Sequence, residues 1–206
     1  MPDSISKQID SAAYHEAGHV TAAVVQGMPI RASGMYVDLC GCGVANYFDR
    51  PDSDLGMTDL DMIERRRTII ALYSAHPAQL RFYPEVQKNG WTKDLIRIGT
   101  LSRQMSPMDE DAQIAIRKEL LGRAQVLVDK FWPIVEELAK ALLAKSCIPM
   151  PPEEHAVGWG TGPVRNMGGC EIADCFAKHK IPATVLDMTT QRYESTLAVP
   201  HYDSLA

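Results

Sequence analysis

His15-Glu16-Ala17-Gly18-His19 sets two imidazoles four residues apart, with a carboxylate directly after the first. Residues four apart on an α-helix project from one face, so both rings can reach a single ion. The HExxH pattern points to zinc (Zn2+), which lowers the pKa of a water it holds and polarises a scissile carbonyl. Glu16 is placed to take the proton from that water and return it to the leaving amine. His15 and His19 are therefore the candidate metal ligands and Glu16 the candidate catalytic residue. The bland alternative is two helix histidines with local hydrogen bonds. Two features favour the metal. The motif lies inside a helical pattern, and Gly18 costs that helix about 1 kcal/mol relative to alanine, which implies close packing against another backbone.

A zinc site of this kind takes a third protein ligand and keeps one position open. From residue type alone the third ligand stays open among Glu64, Asp94, Asp109 and Glu119. His76, His155, His179 and His201 sit in no paired spacing and read as ordinary histidines. Cys170 and Cys175 lie near His179, a weak signal for a second metal site, since free cysteines usually behave as small buried hydrophobes. Two imidazoles and a carboxylate can also hold other divalent ions.

The motif needs a helix to carry it. Asp10 or Ser11 can cap a helix over Ala12–Gln26, which Gly27 and Pro29 then stop. Met35–Cys40 and Val44–Phe48 are enriched in β-branched and aromatic residues, with Gly41-Cys42-Gly43 between them, the signature of a β-hairpin. Thr58 and Asp61 are spaced as a capping box for a helix that reaches about Ala75, with Pro77 interrupting or restarting it. Thr92 can cap a helix to about Gln104. Ser106-Pro107 marks the start of another that runs to about Lys130, and Pro133 kinks it or opens a helix over Ile134–Lys145. After Pro149 glycine and proline dominate. Only Glu171–Lys178 reads as a short helix, and the tail from Thr189 reads as poorly ordered. The fold class is mainly α with one small β-hairpin. A first domain covers 1–149, and an irregular Gly/Pro-rich C-terminal extension of unknown role covers 150–206.

Composition bounds the partners. The 206 residues are 46% hydrophobic and 23% charged, with net charge -5, which gives no basic face for nucleic acid. Arg65-Arg66-Arg67 reads as the solvated side of a helix rather than a phosphate site. No apolar run reaches the roughly 18 residues of a membrane span, and the first residues lack the apolar core of a signal peptide. A cytoplasmic location is the expectation. Five cysteines, an odd number, fit free thiols.

Tyr14-His-Glu-Ala-Gly-His19 resembles the start of the peptidase domain of FtsH-type ATP-dependent zinc proteases. The similarity continues through a glycine-bearing β segment, a helix, and Asn89-Gly-Trp-Thr-Lys-Asp94-Leu95, where the family's Asp-Leu pair opens a helix. Leu138–Lys145 resembles the family's closing helix. The resemblance spans about residues 10–148 and implies a helical zinc-peptidase domain with Asp94 as third ligand. It also implies peptide or unfolded-protein substrates and a homo-oligomer, a hexamer in the family. The chain departs from the family in three ways. No GxxxxGK[ST] P-loop occurs, so an ATPase would have to be a separate partner. Ala71–Pro77 replaces the family's glycine- and alanine-rich run. The segment after Pro149 has no counterpart. A zinc metallopeptidase is the leading expectation. A metal-binding but non-catalytic regulatory module, with the extension occupying the cleft, and a zinc hydrolase of non-peptide amides are the alternatives.

Overall fold

Helix α1 (Pro2–Val25) runs through the middle of the protein, and every residue from Ser11 to Val24 is buried. A helix enclosed on all sides needs apolar or small residues all round, and Ala12, Ala13, Ala17, Ala22, Ala23, Val20 and Val24 supply them. The computed structural model describes residues 2–48, 55–85, 91–150 and 162–187. The helix starts well before the expected cap. Ser11 is only 1% exposed and serves the interior instead of a helix end.

Five further helices surround α1 among the described residues: α2 (Asp59–Phe82), α3 (Thr92–Met105), α4 (Glu110–Lys130), α5 (Trp132–Leu143) and α6 (Gly169–Lys178). The protein is thus mainly helical with a small sheet. Two apolar cores meet at α1. One joins Val20 and Val24 to Val135, Leu138 and Leu142 of α5 and to Ile172 and Phe176 of α6. The other joins Ala22 and Ala23 to Ile69 and Ile70 of α2, Ile98 and Leu101 of α3, and Leu120 and Leu127 of α4. No helix among the described residues is long and apolar enough to cross a membrane.

The local starts follow side-chain chemistry. Thr58 Oγ1 accepts from the Asp61 N–H and the Asp61 carboxylate accepts from the Thr58 N–H, completing the capping box of α2. Pro77 does not break α2, although it leaves the Tyr73 carbonyl without a helical N–H. Helix α4 opens beyond Ser106-Pro107, because the Asp109 side chain accepts from the Ala112 N–H at 2.9 Å and makes Asp109 the cap. Pro133 falls in the first turn of α5, where its missing N–H costs nothing. Arg65 departs from the expected solvated face. It is 2% exposed, and its guanidinium donates to the carbonyls of Leu55 and Gly56 and to Gln104 Oε1, so the incoming loop and α3 are both tied to α2.

The expected hairpin is part of a larger sheet. β1 (Ile30–Asp38) pairs antiparallel with β2 (Gly43–Tyr47) on one edge. On its other edge it pairs antiparallel with β3 (Val164–Met167) and, at Ile30–Arg31, in parallel with β4 (Val185–Leu186). Between Ile30↔Tyr47 and Met35↔Ala45 β1 advances five residues while β2 advances two, so β1 bulges there. The expected irregular extension is therefore structured over 162–187. Its strands complete the sheet, and Met167, Ile172 and Phe176 enter the α1–α5 core. Arg165 Nη1 donates to the carbonyls of Leu143 and Lys145, and Val164 bridges Ile148, so β3 is fastened to the end of α5. β3 and β4 hold too few residues, four and two, to leave a periodic signal in the sequence. The tail from Thr189 lies outside the described residues.

At Gly18 the backbones of α1 and α2 pack closely. A Cβ there would lie 2.7 Å from the Ser74 carbonyl oxygen and 2.8 Å from the Ala78 Cβ, so the close packing expected at this glycine is present. Gly18→Ala must push two backbones apart and is expected to cost about 1–3 kcal/mol, the usual penalty of overpacking. Urea unfolding checks this, and an unchanged midpoint would mean the helices can separate freely.

Candidate metal centre

Three side chains from two helices converge. α1 contributes His15 and His19, and the first turn of α3 contributes Asp94. Asp94 Oδ2 lies 3.3 Å from His15 Nε2 and 3.4 Å from His19 Nε2. The three donor atoms lie within 4.8 Å of one another, and among the described residues this is the group of His, Cys, Asp and Glu side chains gathered closely enough to hold an ion.

Asp94 reaches this point because of its place on α3. Asp94, Ile98, Leu101 and Met105 follow helical spacing, and the last three are buried against the α2–α4 core. The carboxylate is thus the polar end of an apolar stripe, one turn beyond it. It also sits at a helix N-terminus, where the backbone dipole favours negative charge. Trp91, the residue before α3, stacks on His76 of α2 with ring centroids 3.4 Å apart and planes 15° apart, which pins the start of α3 to α2.

The imidazoles are oriented from behind. His19 Nδ1 donates to the Ala71 carbonyl at 2.9 Å, and His15 Nδ1 lies 3.3 Å from Gln79 Oε1. Both partners belong to α2, and both contacts leave Nε2 facing Asp94. Two of the three donor spacings suit a zinc ion. Tetrahedral zinc with ligands at about 2.0–2.1 Å spaces neighbouring donor atoms by about 3.3 Å, and Asp94 Oδ2 has that spacing from both nitrogens. Hydrogen-bonded second nitrogens are the usual support of imidazole ligands.

Glu16 lies beside the cluster and is 5% exposed. β2 forms its roof: a Cβ on Gly43 would come within 2.6 Å of Glu16 Oε1 and Cγ, so a larger residue there would displace the carboxylate. Further along the strand, the Tyr47 ring is 6.4 Å from the His19 ring. Burial pushes the Glu16 carboxyl above its ordinary value of 4.5; His15 and His19 oppose this and Asp94 reinforces it. Burial works against a charge on His19, but the Asp94 carboxylate outweighs it and raises the imidazole to about 9, with smaller help from Glu16 and the Ala71 carbonyl. Burial also raises Asp94, yet the two imidazoles outweigh it and hold the carboxyl well below the usual carboxylate range.

The other sequence candidates lie elsewhere. Asp109 caps α4, Glu119 pairs with Arg66 and Arg123 on the surface, and Glu64 is outside the cluster. His76 stacks on Trp91, and His179 Nε2 pairs with Glu137 Oε2 at 3.0 Å. Cys170 is exposed and Cys175 buried, both as free thiols, and they join no metal-holding group with His179. His155 and His201 lie outside the described residues. Sequence reasoning missed the roles of Ser11, one helical turn before His15, and of Ala71 and Gln79, which lie far from the motif in sequence. It took Gly43 for turn geometry alone. The chain matches no known protein-family model, and no curated protein matches it.

The charges of the cluster predict how the chelator-treated protein responds to pH. His19, raised, contributes stability that is complete below its ordinary value of 6.5 and is lost as pH rises through about 9. Asp94, lowered, contributes stability that is complete above its ordinary value of 3.8 and is lost as pH falls below it. Glu16, raised, costs stability as pH climbs past its ordinary value of 4.5. Stability of the metal-free chain should therefore be greatest in mild acid, decline toward pH 9 and decline again below pH 4. Thermal melts across this range check it. A maximum near pH 8 would contradict the assigned charges.

Proposed function

We propose that the protein is a zinc-dependent metallopeptidase of the FtsH-type peptidase fold, with His15, His19 and Asp94 as ligands and Glu16 as general base. The observation that carries this reading is the meeting of His15 Nε2 and His19 Nε2 of α1 with Asp94 Oδ2 of α3, next to a buried glutamate. Bound zinc would supply Lewis-acid polarisation of the scissile carbonyl and a lowered pKa for the attacking water. Glu16 would accept a proton from the attacking water and return it to the leaving nitrogen. A carboxyl raised by burial is better matched to this exchange near neutral pH than an ordinary one. The Gly43 backbone over the carboxylate limits its motion and keeps bulk water from that side.

β2 supports a peptide as substrate. It is an edge strand among the described residues, with β1 on one side and no strand on the other. Its two ends lie beside Glu16 and His19. An extended peptide pairing with this edge would be held by main-chain hydrogen bonds with little sequence preference. The described strands of the extension pair with the opposite edge of β1. These 206 residues hold no P-loop, and peptides or already unfolded segments are the substrates proposed for them.

Elemental analysis of protein purified without added metal tests the site. About one zinc per chain is expected in the wild type and in Glu119→Ala, and little in Asp94→Ala. Equal zinc in all three would remove Asp94 from the ligand set. Glu16→Gln should keep its zinc while peptide turnover falls at least about 100-fold, because the base is lost and no ligand is. Loss of the metal in that variant would contradict the role given to Glu16. Proline placed singly at positions 44, 45 and 46 removes one N–H at a time from β2. Unchanged turnover in all three folded variants would exclude strand pairing.

A further inference from the structure

The two imidazoles present Nε2 to one point, but their other nitrogens meet different kinds of partner. His19 Nδ1 faces a backbone carbonyl, which only accepts, so this nitrogen carries a proton. His15 Nδ1 faces the side-chain amide of Gln79. An amide can offer either end: its oxygen holds the proton on Nδ1, whereas its NH2 group drives the proton to Nε2 and blocks that lone pair. Something must therefore orient Gln79.

Ser11 does so. Gln79 Nε2 donates to Ser11 Oγ at 2.8 Å, which turns Oε1 toward His15. As the acceptor of this bond, Ser11 Oγ takes the amide NH2 and leaves Oε1 for His15. Ser11 is 1% exposed, His15 7% and Gln79 8%, so water does not compete along the relay. The Gln79 backbone carbonyl accepts from the Tyr83 N–H, which anchors the residue at the end of α2.

We propose that Gln79, oriented by Ser11, is a positioning residue that holds His15 as its Nδ1–H tautomer and turns the Nε2 lone pair toward the point shared with His19 and Asp94. The inference rests on the metal-site reading above and deepens it. His19 is oriented by main chain, which substitution cannot remove. His15 is oriented by two side chains, each of which can be removed singly. The relay therefore prepares one ligand before an ion arrives, and its loss leaves the ring free to present the wrong nitrogen.

Zinc affinity by chelator competition, together with proton NMR of the ring Nδ1–H groups in the zinc-loaded protein, tests this in the full chain. Wild type should show two slowly exchanging downfield Nδ1–H signals, one from each histidine. Gln79→Leu should bind zinc about 10–100-fold more weakly and lose the His15 signal, while the His19 signal stays in place. Gln79→Glu keeps an acceptor at the same point and should retain the His15 signal with affinity at or above wild type. Ser11→Ala should fall between wild type and Gln79→Leu. An order of Glu at or above Gln, and Gln above Leu, cannot come from packing, since leucine is the easier of the two substitutes to bury. Wild-type affinity in Gln79→Leu with the His15 signal retained overturns the relay and leaves the zinc site standing. Simultaneous loss of both ring signals in Gln79→Leu makes the effect structural and also overturns it. Failure of the wild-type chain to take up zinc in the same competition overturns the metal site and the relay together.

Discussion

The contact between the backbones of α1 and α2 at Gly18 governs the rest of the site. With no Cβ in the way, the two helices pack closely enough for side chains of one to meet the main chain of the other. The helices run antiparallel, and their contacts keep one register: His15 meets Gln79, Gly18 meets Ala75, His19 meets Ala71 and Gln26 meets Arg67. One spacing therefore sets both imidazole orientations. Separated helices would lose the Ala71 and Gln79 contacts together, and both rings would be free to turn. The stacked rings of Tyr14 and Phe82, 4.0 Å apart, hold the same pair of helices together at the other end of this register.

Around that rigid pair, the remaining elements each bring one group. α3 delivers a carboxylate on the end of an apolar stripe, and β2 lays a glycine over Glu16. The result gathers two carboxyls and two imidazoles where water is scarce. Burying a charge is unfavourable unless it is paired, and here Asp94 and His19 offset each other while Glu16 is driven toward its neutral form. Buried ionisable groups with pKa values pushed in different directions are a recurring mark of functional sites.

Much of this was legible from residue types alone. The helical spacing of the two histidines, the glycine between them, the capping box at Thr58 and the hairpin around Gly41 all depend on near neighbours in sequence, and local rules capture such features. Asp94 was reachable by resemblance, but residue type left it open with Glu64, Asp109 and Glu119. Other features escaped for a common reason. Ser11 looked like a helix cap because short polar residues favour caps, yet tertiary packing extended α1 past it and gave its hydroxyl a buried partner. Arg65 looked solvated because three arginines in a row usually are, yet three acceptors from a loop and α3 enclose it. β3 and β4 are too short for periodicity, and their partner strand lies more than a hundred residues away in sequence. Local pattern carries no information about contacts of that span.

That last span has a consequence for how the protein reaches its native state. His15, Glu16, His19 and Asp94 all precede the segment at 164–186 that completes one edge of β1. Closing so long a loop is entropically slow, whereas α1, α2 and α3 are close in sequence and can dock early. Until β3 and β4 arrive, β1 presents unpaired N–H and C=O groups along one edge, the kind of surface that recruits another chain. Sheet completion therefore depends on a segment that follows every residue of the candidate site in the chain.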